Sequence, residues 1–259
     1  MARTVAIIQA RMGSTRLPGK ILKPILGEPM LARMLERVKR AKKLDAVVVA
    51  TTDMPEDDAT AELARKCGVA VFRGSEKDVL DRFYRAAKEA GAEVVMRLTG
   101  DCPLMDPAII DAVTAHFQEA RGAIDYCGTP KNCPEGLDTE VFTFAALEEA
   151  AREAKLPSER EHVTPYIKNH PERFKSETWE EGEGDHSGMH WSVDTQADFD
   201  FVSNVFEQLY PKNPSFSKDD ILSLLVEHPE LLEINKGATG YEGLAKSLKE
   251  DEAFKKHSA

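Results

Sequence analysis

The chain has 259 residues and a formal net charge of −11 at pH 7. This length can bury a substantial core and predicts one main α/β domain with an appendage, while the acidic balance argues against nucleic acid as a partner. Four scattered cysteines, with no C-x-x-C pair, indicate neither a zinc site nor a disulfide framework, and no apolar run approaches about twenty residues. We therefore expect a cytoplasmic protein that binds neither nucleic acid nor membranes.

The first predicted strand, residues 4–9, runs directly into a loop rich in turn formers and cations. The residues that give this loop its character are Arg11, Gly13, Arg16, Pro18, Gly19 and Lys20. Glycines let a backbone approach an anion, and the cations offset phosphate charge. Ligands bind at the carboxyl ends of strands in open α/β sheets, so the loop is predicted to hold nucleotide phosphates. The alternative is a solvated basic turn. A Walker A motif is excluded, because Ile21 follows Lys20 where that motif has Ser or Thr.

Strands and helices then alternate through the first half of the chain. The predicted strands cover 46–51, 69–73 and 93–98, and the predicted helices cover 29–41, 57–67, 76–90 and 107–120. This alternation predicts a parallel sheet covered by helices on both faces.

An aspartate follows the strand at 93–98. In the segment Gly100-Asp101-Cys102-Pro103 the carboxylate lies at the carboxyl edge of the sheet. Mg²⁺ prefers one or two carboxylates together with phosphate oxygens and waters, so Asp101 is a candidate metal ligand. The alternative is that Asp101 caps the turn before the helix near Pro107.

From about residue 122 the pattern changes to shorter strands, near 125–127, 137–144 and 174–179, around a helix at 157–169. We interpret residues 122–185 as an inserted arm. A strand at 189–194 then ends in Asp194, a second candidate metal ligand or else an N-cap of the helix at 196–209. A nucleotide-binding domain is thus expected over residues 1–210. The remainder, 211–259, is expected to be a helical extension with helices at 218–227 and 241–249.

Three blocks resemble the signatures of CMP-sugar synthetases, the cytidylyltransferases that activate Kdo and sialic acids, including the branch like the spore-coat polysaccharide enzymes. The blocks are Ala10-Arg11-x-Gly13-Ser14-x-Arg16-Leu17-Pro18-Gly19-Lys20, Gly100-Asp101-x-Pro103-Leu104 and Val193-Asp194-Thr195-x-x-Asp198-Phe199. The resemblance covers roughly residues 4–210. It implies a Rossmann-like nucleotidyltransferase fold with a mixed sheet, CTP and a small acidic sugar as substrates, Mg²⁺ as cofactor, and a homodimer formed through the arm.

The resemblance also implies roles for individual residues. The nucleotide-binding positions are Ala10, Arg11, Gly13, Ser14, Arg16, Lys20, Gly74 and Arg82. Lys20, Arg11 and Asp101 are the catalytic candidates, and Asp101 with Asp194 would hold the metal. For the region of Gly74 and Arg82, the alternative is a helix capped by Ser75 with an Asp78–Arg82 ion pair.

Other functions remain open on the sequence. The acceptor could be recognised by Asp138, Glu140, Arg160 and His162 in the arm, or these residues could form a solvated or dimer-forming surface. The enzyme could instead use a sugar 1-phosphate and another nucleotide triphosphate. The chain could also be a nucleotide-binding subunit without turnover.

Overall fold

The computed structural model describes residues 2–120, 122–180, 184–238, 240 and 242–257, in which seven strands form one mixed sheet. Its strands are β1 (Thr4–Gln9), β4 (Ala46–Thr52), β5 (Ala70–Gly74), β6 (Val94–Thr99), β7 (Tyr126–Gly128), β8 (Glu140–Thr143) and β9 (Ser176–Thr178), in the order β5-β4-β1-β6-β8-β7-β9. A small hairpin of β2 (Pro24–Ile25) and β3 (Glu28–Pro29) stands apart. The expected α/β fold with a mixed sheet is confirmed.

Ten helices accompany the sheet within the described residues. They are α1 (Met30–Val38), α2 (Asp58–Lys66), α3 (Val79–Glu89), α4 (Pro107–Glu119), α5 (Phe144–Glu153), α6 (Pro157–His162), α7 (Pro165–Asn169), α8 (Gln196–Leu209), α9 (Lys218–Glu227) and α10 (Glu242–His257). None of the helices in this part of the chain is long and apolar enough to cross a membrane.

Strand β1 lies in the interior of the sheet, beside the central strand β6, and is covered on both faces. It pairs in parallel with β4 on one side and β6 on the other. Ala6 and Ile8 enter one buried apolar cluster, and Val5 and Ile7 enter the other. A strand buried on both faces needs a continuous apolar run, which explains its sequence. The register places Gln9 opposite Thr99, so the chain leaves β1 and β6 side by side.

The residues predicted as an arm continue the same sheet. Strand β8 pairs antiparallel with β6, β7 pairs antiparallel with β8, and β9 pairs parallel with β7. The predicted strand at 137–144 is shorter than expected, because Thr143 caps a helix, α5, that the sequence analysis missed. The dimer expected from this region stays a prediction.

Two predicted elements are wrong. The single helix at 157–169 is broken into α6 and α7, since Val163 takes a positive φ of 71° and Pro165 has no N–H to continue the helix. Residues 189–194 form no strand but an irregular segment with one bridge, between His190 and Glu135. After Glu135 the chain bends at Gly136, whose φ is 103°, and Gly136 lies directly against the backbone of Trp191 and Ser192, where a Cβ would not fit.

The described residues after 210 include two α-helices in the regions where helices were expected, while the division into a domain and an extension stays a prediction. Helix α9 spans the predicted range, and α10 runs to His257, eight residues beyond the predicted end. Tyr241, where the last helix was expected to begin, lies outside the described residues.

Candidate active site

A cavity of about 500 Å³ opens at the carboxyl edge of the sheet. Its walls come from the loop after β1, the start of α3, the turn after β6, helix α6, Asp194 and helix α10. The sequence-predicted site residues that line it are Ala10, Arg11, Gly13, Ser14, Arg16, Lys20, Arg82, Asp101 and Asp194. Residues as far apart in the chain as Gln9 and Glu250 therefore line one cavity.

Lys20 joins the two candidate metal ligands. Its Nζ lies 2.9 Å from Oδ2 of Asp101 and 3.1 Å from Oδ1 of Asp194, and it donates to the carbonyl of Val193 at 2.6 Å. The side chain is almost buried at the start of a short 3₁₀ turn, Lys20–Leu22, which follows Gly19 with a φ of 68°. Glycine adopts this conformation without strain, so Gly19 turns the loop back towards the carboxylates.

The charges at this centre reinforce one another. Burial by itself would lower the pKa of Lys20, but Asp101 and Asp194 outweigh it and the net pKa is raised. Burial would likewise raise the pKa of Asp101, but the charge and hydrogen bond of Lys20 bring the net pKa below the ordinary value. An ammonium and a carboxylate that face each other stabilise each other's charged form. Both groups are therefore ionised at neutral pH.

The capping alternatives for the two aspartates are wrong. Helix α4 is capped by Asp106, whose carboxylate accepts from the Ala108 N–H, and not by Asp101. Helix α8 is capped by Thr195 in a reciprocal arrangement with Asp198, and not by Asp194. The carboxylates of Asp101 and Asp194 instead contact Lys20 in the lining of the cavity.

The loop after β1 lies very close to the turn after β6 that carries Asp101. A Cβ built on Gly100 would lie 2.8 Å from the Cβ of Ala10 and 2.9 Å from the carbonyl oxygen of Gln9, which no side chain tolerates. Gly100 also donates its N–H to that carbonyl at 2.8 Å. Glycine at position 100 thus lets the loop after β1 lie against the turn that carries Asp101.

The remaining cations of the loop are held near carboxylates. Arg16 Nη2 lies 2.9 Å from Oδ1 of Asp194. Arg11 Nη1 lies 3.4 Å from Oε1 of Glu76, and its Nη2 lies 3.8 Å from Oε1 of Glu161 on α6. These pairs are partly exposed and so are weak, which lets the guanidinium groups exchange to a polyanion.

In the region of Gly74 and Arg82 the structure places only Arg82 at the cavity, and the alternative of a Ser75 cap with an Asp78–Arg82 ion pair is wrong. Gly74 ends β5 outside the cavity lining, and a Cβ there would press on Phe72 and Arg82. Helix α3 is capped by Asp78, not Ser75, and Asp78 pairs with Arg160 rather than Arg82. Arg82 is buried, donates to the Ser75 carbonyl and lines the cavity.

Of the four arm residues that were candidates for recognising the acceptor, two line the cavity and two do not. Arg160 and His162 line it. Glu140 is instead buried in a network with Arg97, Tyr126, Thr164 and Lys168, where the cations outweigh burial and lower the pKa of Glu140 to about 2. Asp138 accepts from the Gly136 N–H, and burial raises its pKa. Neither carboxylate lines the cavity.

Several lining residues were missed by the sequence analysis. Gln9, Lys77, Glu161, Lys246, Ser247 and Glu250 line the cavity. Gln9 Oε1 and Arg82 Nε are buried and have no hydrogen-bond partner within the described part of the chain. Such atoms carry a desolvation cost unless a ligand satisfies them. Because Gln9 is the last residue of β1, its place at the carboxyl edge of the sheet could have been predicted. Nothing in the local sequence indicates that residues of α10 line the cavity.

The donor set suits a divalent ion that a substrate also ligates. Across the described ranges, no group of three or more His, Cys, Asp or Glu side chains could hold a metal ion alone. Asp101 and Asp194 instead supply two carboxylates that face one ammonium group. Two carboxylates completed by phosphate oxygens and water are the typical ligands of Mg²⁺.

Known proteins have sequences related to this chain over most of its length. The family model described as cytidylyltransferase matches residues 5–242. An uncharacterized protein of Methanocaldococcus jannaschii is 42% identical over 234 residues, covering 90% of this chain and 94% of its own. The spore coat polysaccharide biosynthesis protein SpsF of Bacillus subtilis is 36% identical over 231 residues, covering 86% and 94%.

Solved structures extend the similarity to the fold. A cytidylyltransferase from Leptospira borgpetersenii superposes with a TM-score of 0.85 at 36% identity, covering 93% of this chain and all of that one. A CMP:2-keto-3-deoxy-manno-octonic acid synthetase, solved with CTP, has a TM-score of 0.63 at 18% identity over 80% of this chain and 99% of its own. The second likeness concerns the fold alone.

Proposed function

The chain belongs to the cytidylyltransferase family, and we propose that it transfers CMP from CTP to the anomeric hydroxyl of a 3-deoxy-2-keto sugar acid, of the Kdo or sialic-acid type, with release of pyrophosphate. The product would serve surface polysaccharide biosynthesis. The observation that supports this proposal most is that Lys20 contacts Asp101 and Asp194 in one cavity. The loop after β1, which forms a wall of that cavity, supplies further cations.

The loop after β1 would hold the triphosphate. Arg11, Arg16 and Lys20 supply positive charge, and Ala10, Gly13 and Ser14 bring backbone to the same wall. Binding CTP would exchange the exposed ion pairs of Arg11 and Arg16 for phosphate contacts, which guanidinium groups make in a bidentate manner. Gln9 Oε1 and Arg82 Nε, one acceptor and one donor, would meet the polar edge of the base.

Asp101 and Asp194 would hold Mg²⁺. When bound, the ion would offset charge on the phosphate oxygens and lower the pKa of the acceptor hydroxyl. Lys20, which keeps its charge at neutral pH, would stabilise the negative charge that develops on the phosphate oxygens as the hydroxyl attacks the α-phosphorus. Nucleotidyl transfer depends mainly on positioning and on electrostatic stabilisation, so this direct displacement needs no covalent intermediate on the protein.

The proposal is tested by substrate panels. The purified chain is incubated with Mg²⁺ and each nucleoside triphosphate, together with 3-deoxy-2-keto sugar acids or sugar 1-phosphates, and pyrophosphate is followed. We expect release only with CTP and a keto sugar acid. Release with a sugar 1-phosphate would establish the other transferase reading, and CTP binding without release in any combination would establish a non-catalytic subunit. Thermal shifts with the four triphosphates test the choice of base separately.

A further inference from the structure

Helix α10 supplies a wall of the cavity although it lies almost wholly beyond the residues matched by the family model, 5–242. Gly243, Lys246, Ser247 and Glu250 line the cavity. Their spacing of three, one and three residues places them on one face of the helix. The C-terminal segment of this chain therefore takes part in the site.

A buried carboxylate fixes α10 to α6. Asp251 accepts from the backbone N–H of Ser158 at 2.9 Å and from its hydroxyl at 2.6 Å, and both residues are buried. The first N–H groups of a helix lack partners within the helix, and the Leu156 side chain, which precedes α6, cannot cap it. Asp251 thus satisfies the first turn of α6 from a distant part of the chain. Ser247 Oγ and His162 Nε2, 3.1 Å apart, form a second contact.

The cations in the wall formed by α6 and α10 differ in how firmly they are held. Arg160 donates to both oxygens of Asp78 and to the carbonyl of Ala151. Lys246, by contrast, is exposed and lies 3.8 Å from the nearest oxygen of Glu250, which is also exposed. Such a surface pair contributes little, so the ammonium of Lys246 can turn to a bound anion at small cost.

The other polar groups of this wall suit hydroxyl ligands. Burial lowers the pKa of His162, and the charges of Arg97 and Lys168 lower it further, against Glu140 and Asp251. The ring next to Ser247 therefore acts as a neutral donor or acceptor. Glu161 on α6 comes within 3.8 Å of Arg11 in the loop after β1. A small molecule held by the wall of α6 and α10 would therefore lie beside a triphosphate bound to that loop.

We propose that α10 forms the acceptor subsite, in which Lys246 pairs with the carboxylate of the sugar acid and the Ser247–His162 pair binds its hydroxyls. This inference rests on the proposed function for its anionic acceptor. The assignment makes the C-terminal helix a determinant of which acceptor the enzyme takes, while the loop after β1 determines triphosphate binding.

Steady-state kinetics on the full chain test the subsite. In Lys246→Ala we expect the KM for 3-deoxy-D-manno-octulosonic acid, or for the keto acid that the panel identifies, to rise about tenfold, as for the loss of one partly desolvated ion pair. The kcat and the Kd of CTP measured without acceptor stay within twofold. Lys246→Arg retains the lower KM. Lys249→Ala, which removes the same charge from α10 outside the cavity lining, is the matched control and leaves the KM unchanged.

Asp251→Ala removes the anchor of the whole helix and should raise the acceptor KM at least as much as Lys246→Ala, with circular dichroism reporting whether the fold survives. If Asp251→Ala does not fold, the Lys246 variants decide alone. An acceptor KM within twofold of the unmodified chain in Lys246→Ala would overturn the inference, as would an equal weakening of CTP binding.

Calorimetry separates this inference from the proposed function. The keto acid is titrated into the chain with CMP present. Absence of turnover by the unmodified chain would refute the proposed function, while tenfold weaker binding to Lys246→Ala would still support the subsite. Equal binding to both chains, or binding to neither, would refute the subsite.

Discussion

Replacing Lys20 by Met tests the electrostatic centre most directly. The substitution keeps an unbranched side chain of similar length but removes the ammonium that contacts Asp101, Asp194 and the Val193 carbonyl at 2.6–3.1 Å. Two carboxylates then face each other without the cation between them. Removing one partner of a largely buried ion pair costs about 3–5 kcal/mol. Because Asp101 and Asp194 keep some contact with solvent, we expect the lower end, about 3 kcal/mol.

The expected loss has two separate readouts. A loss of about 3 kcal/mol lowers the midpoint of thermal unfolding by roughly 6–12 °C in a chain of this size. Pyrophosphate release should fall by about 10²–10³, the usual effect of losing one charged contact to a transition state. Since Asp101 loses the ammonium of Lys20 and Asp194 keeps only its ion pair with Arg16, Mg²⁺ alone should stabilise Lys20→Met more than the unmodified chain.

Lys23→Met is the matched control. Lys23 donates to Gln196 at the protein surface and does not line the cavity, so its loss should change turnover by less than twofold. Turnover by Lys20→Met within threefold of the unmodified chain would show that the ammonium of Lys20 does not stabilise the transition state. A normal unfolding temperature in Lys20→Met would show that the ammonium does not stabilise the two aspartates.

Further predictions concern other parts of the molecule. Asp101→Asn and Asp194→Asn should each lower pyrophosphate release by at least about 10², and the double variant should lose much less than the product of the two, since both act on one centre; full additivity in kcat would contradict this. Glu140 has a folded pKa of about 2, below its ordinary value of 4.5, so its charge stabilises the fold above pH 4.5 and this contribution disappears as the pH falls towards 2. Urea unfolding should show Glu140→Gln less stable by about 3 kcal/mol at pH 7, with the gap about 1 kcal/mol narrower at pH 3.5; a gap independent of pH would refute the assignment. Leu26 has a φ of 49° and precedes Gly27 in the two-residue turn between β2 and β3, where Asn-Gly is preferred. Leu26→Asn should therefore raise the free energy of unfolding by about 1 kcal/mol in thermal denaturation, and a destabilised variant would show that the leucine side chain matters more than the turn.

Local sequence patterns predicted the elements that depend on near neighbours. The buried run of β1, the glycines of the following loop and the Gly100-Asp101 turn all follow from residues close in the chain. Helix α9 has the predicted ends, and in the structure Ser217 caps it in a reciprocal arrangement with Asp220, a local pattern. The break at Val163 was signalled by Pro165 and should have been expected.

Contacts between distant segments could not be predicted from local sequence patterns. Asp194 was predicted as a candidate metal ligand at the end of a strand, but the structure has no strand there. It reaches Lys20 because Val193 donates its N–H to the Asp101 carbonyl at 2.8 Å. From the sequence, Asp101 and Asp194 could equally be helix caps or metal ligands. The structure removes the capping alternative, because Asp106 and Thr195 cap the helices that follow.

The sequence by itself determined the class of fold, the family and the cationic character of the loop after β1, because periodicity, turn chemistry and short motifs are properties of neighbouring residues. Tertiary structure alone decided that Glu140 is an internal structural charge and that Lys246 on the last helix borders the cavity. Both outcomes depend on which side chains meet after folding. A charged residue reads the same in the chain whether it will lie in solvent, in a buried network or in a binding site.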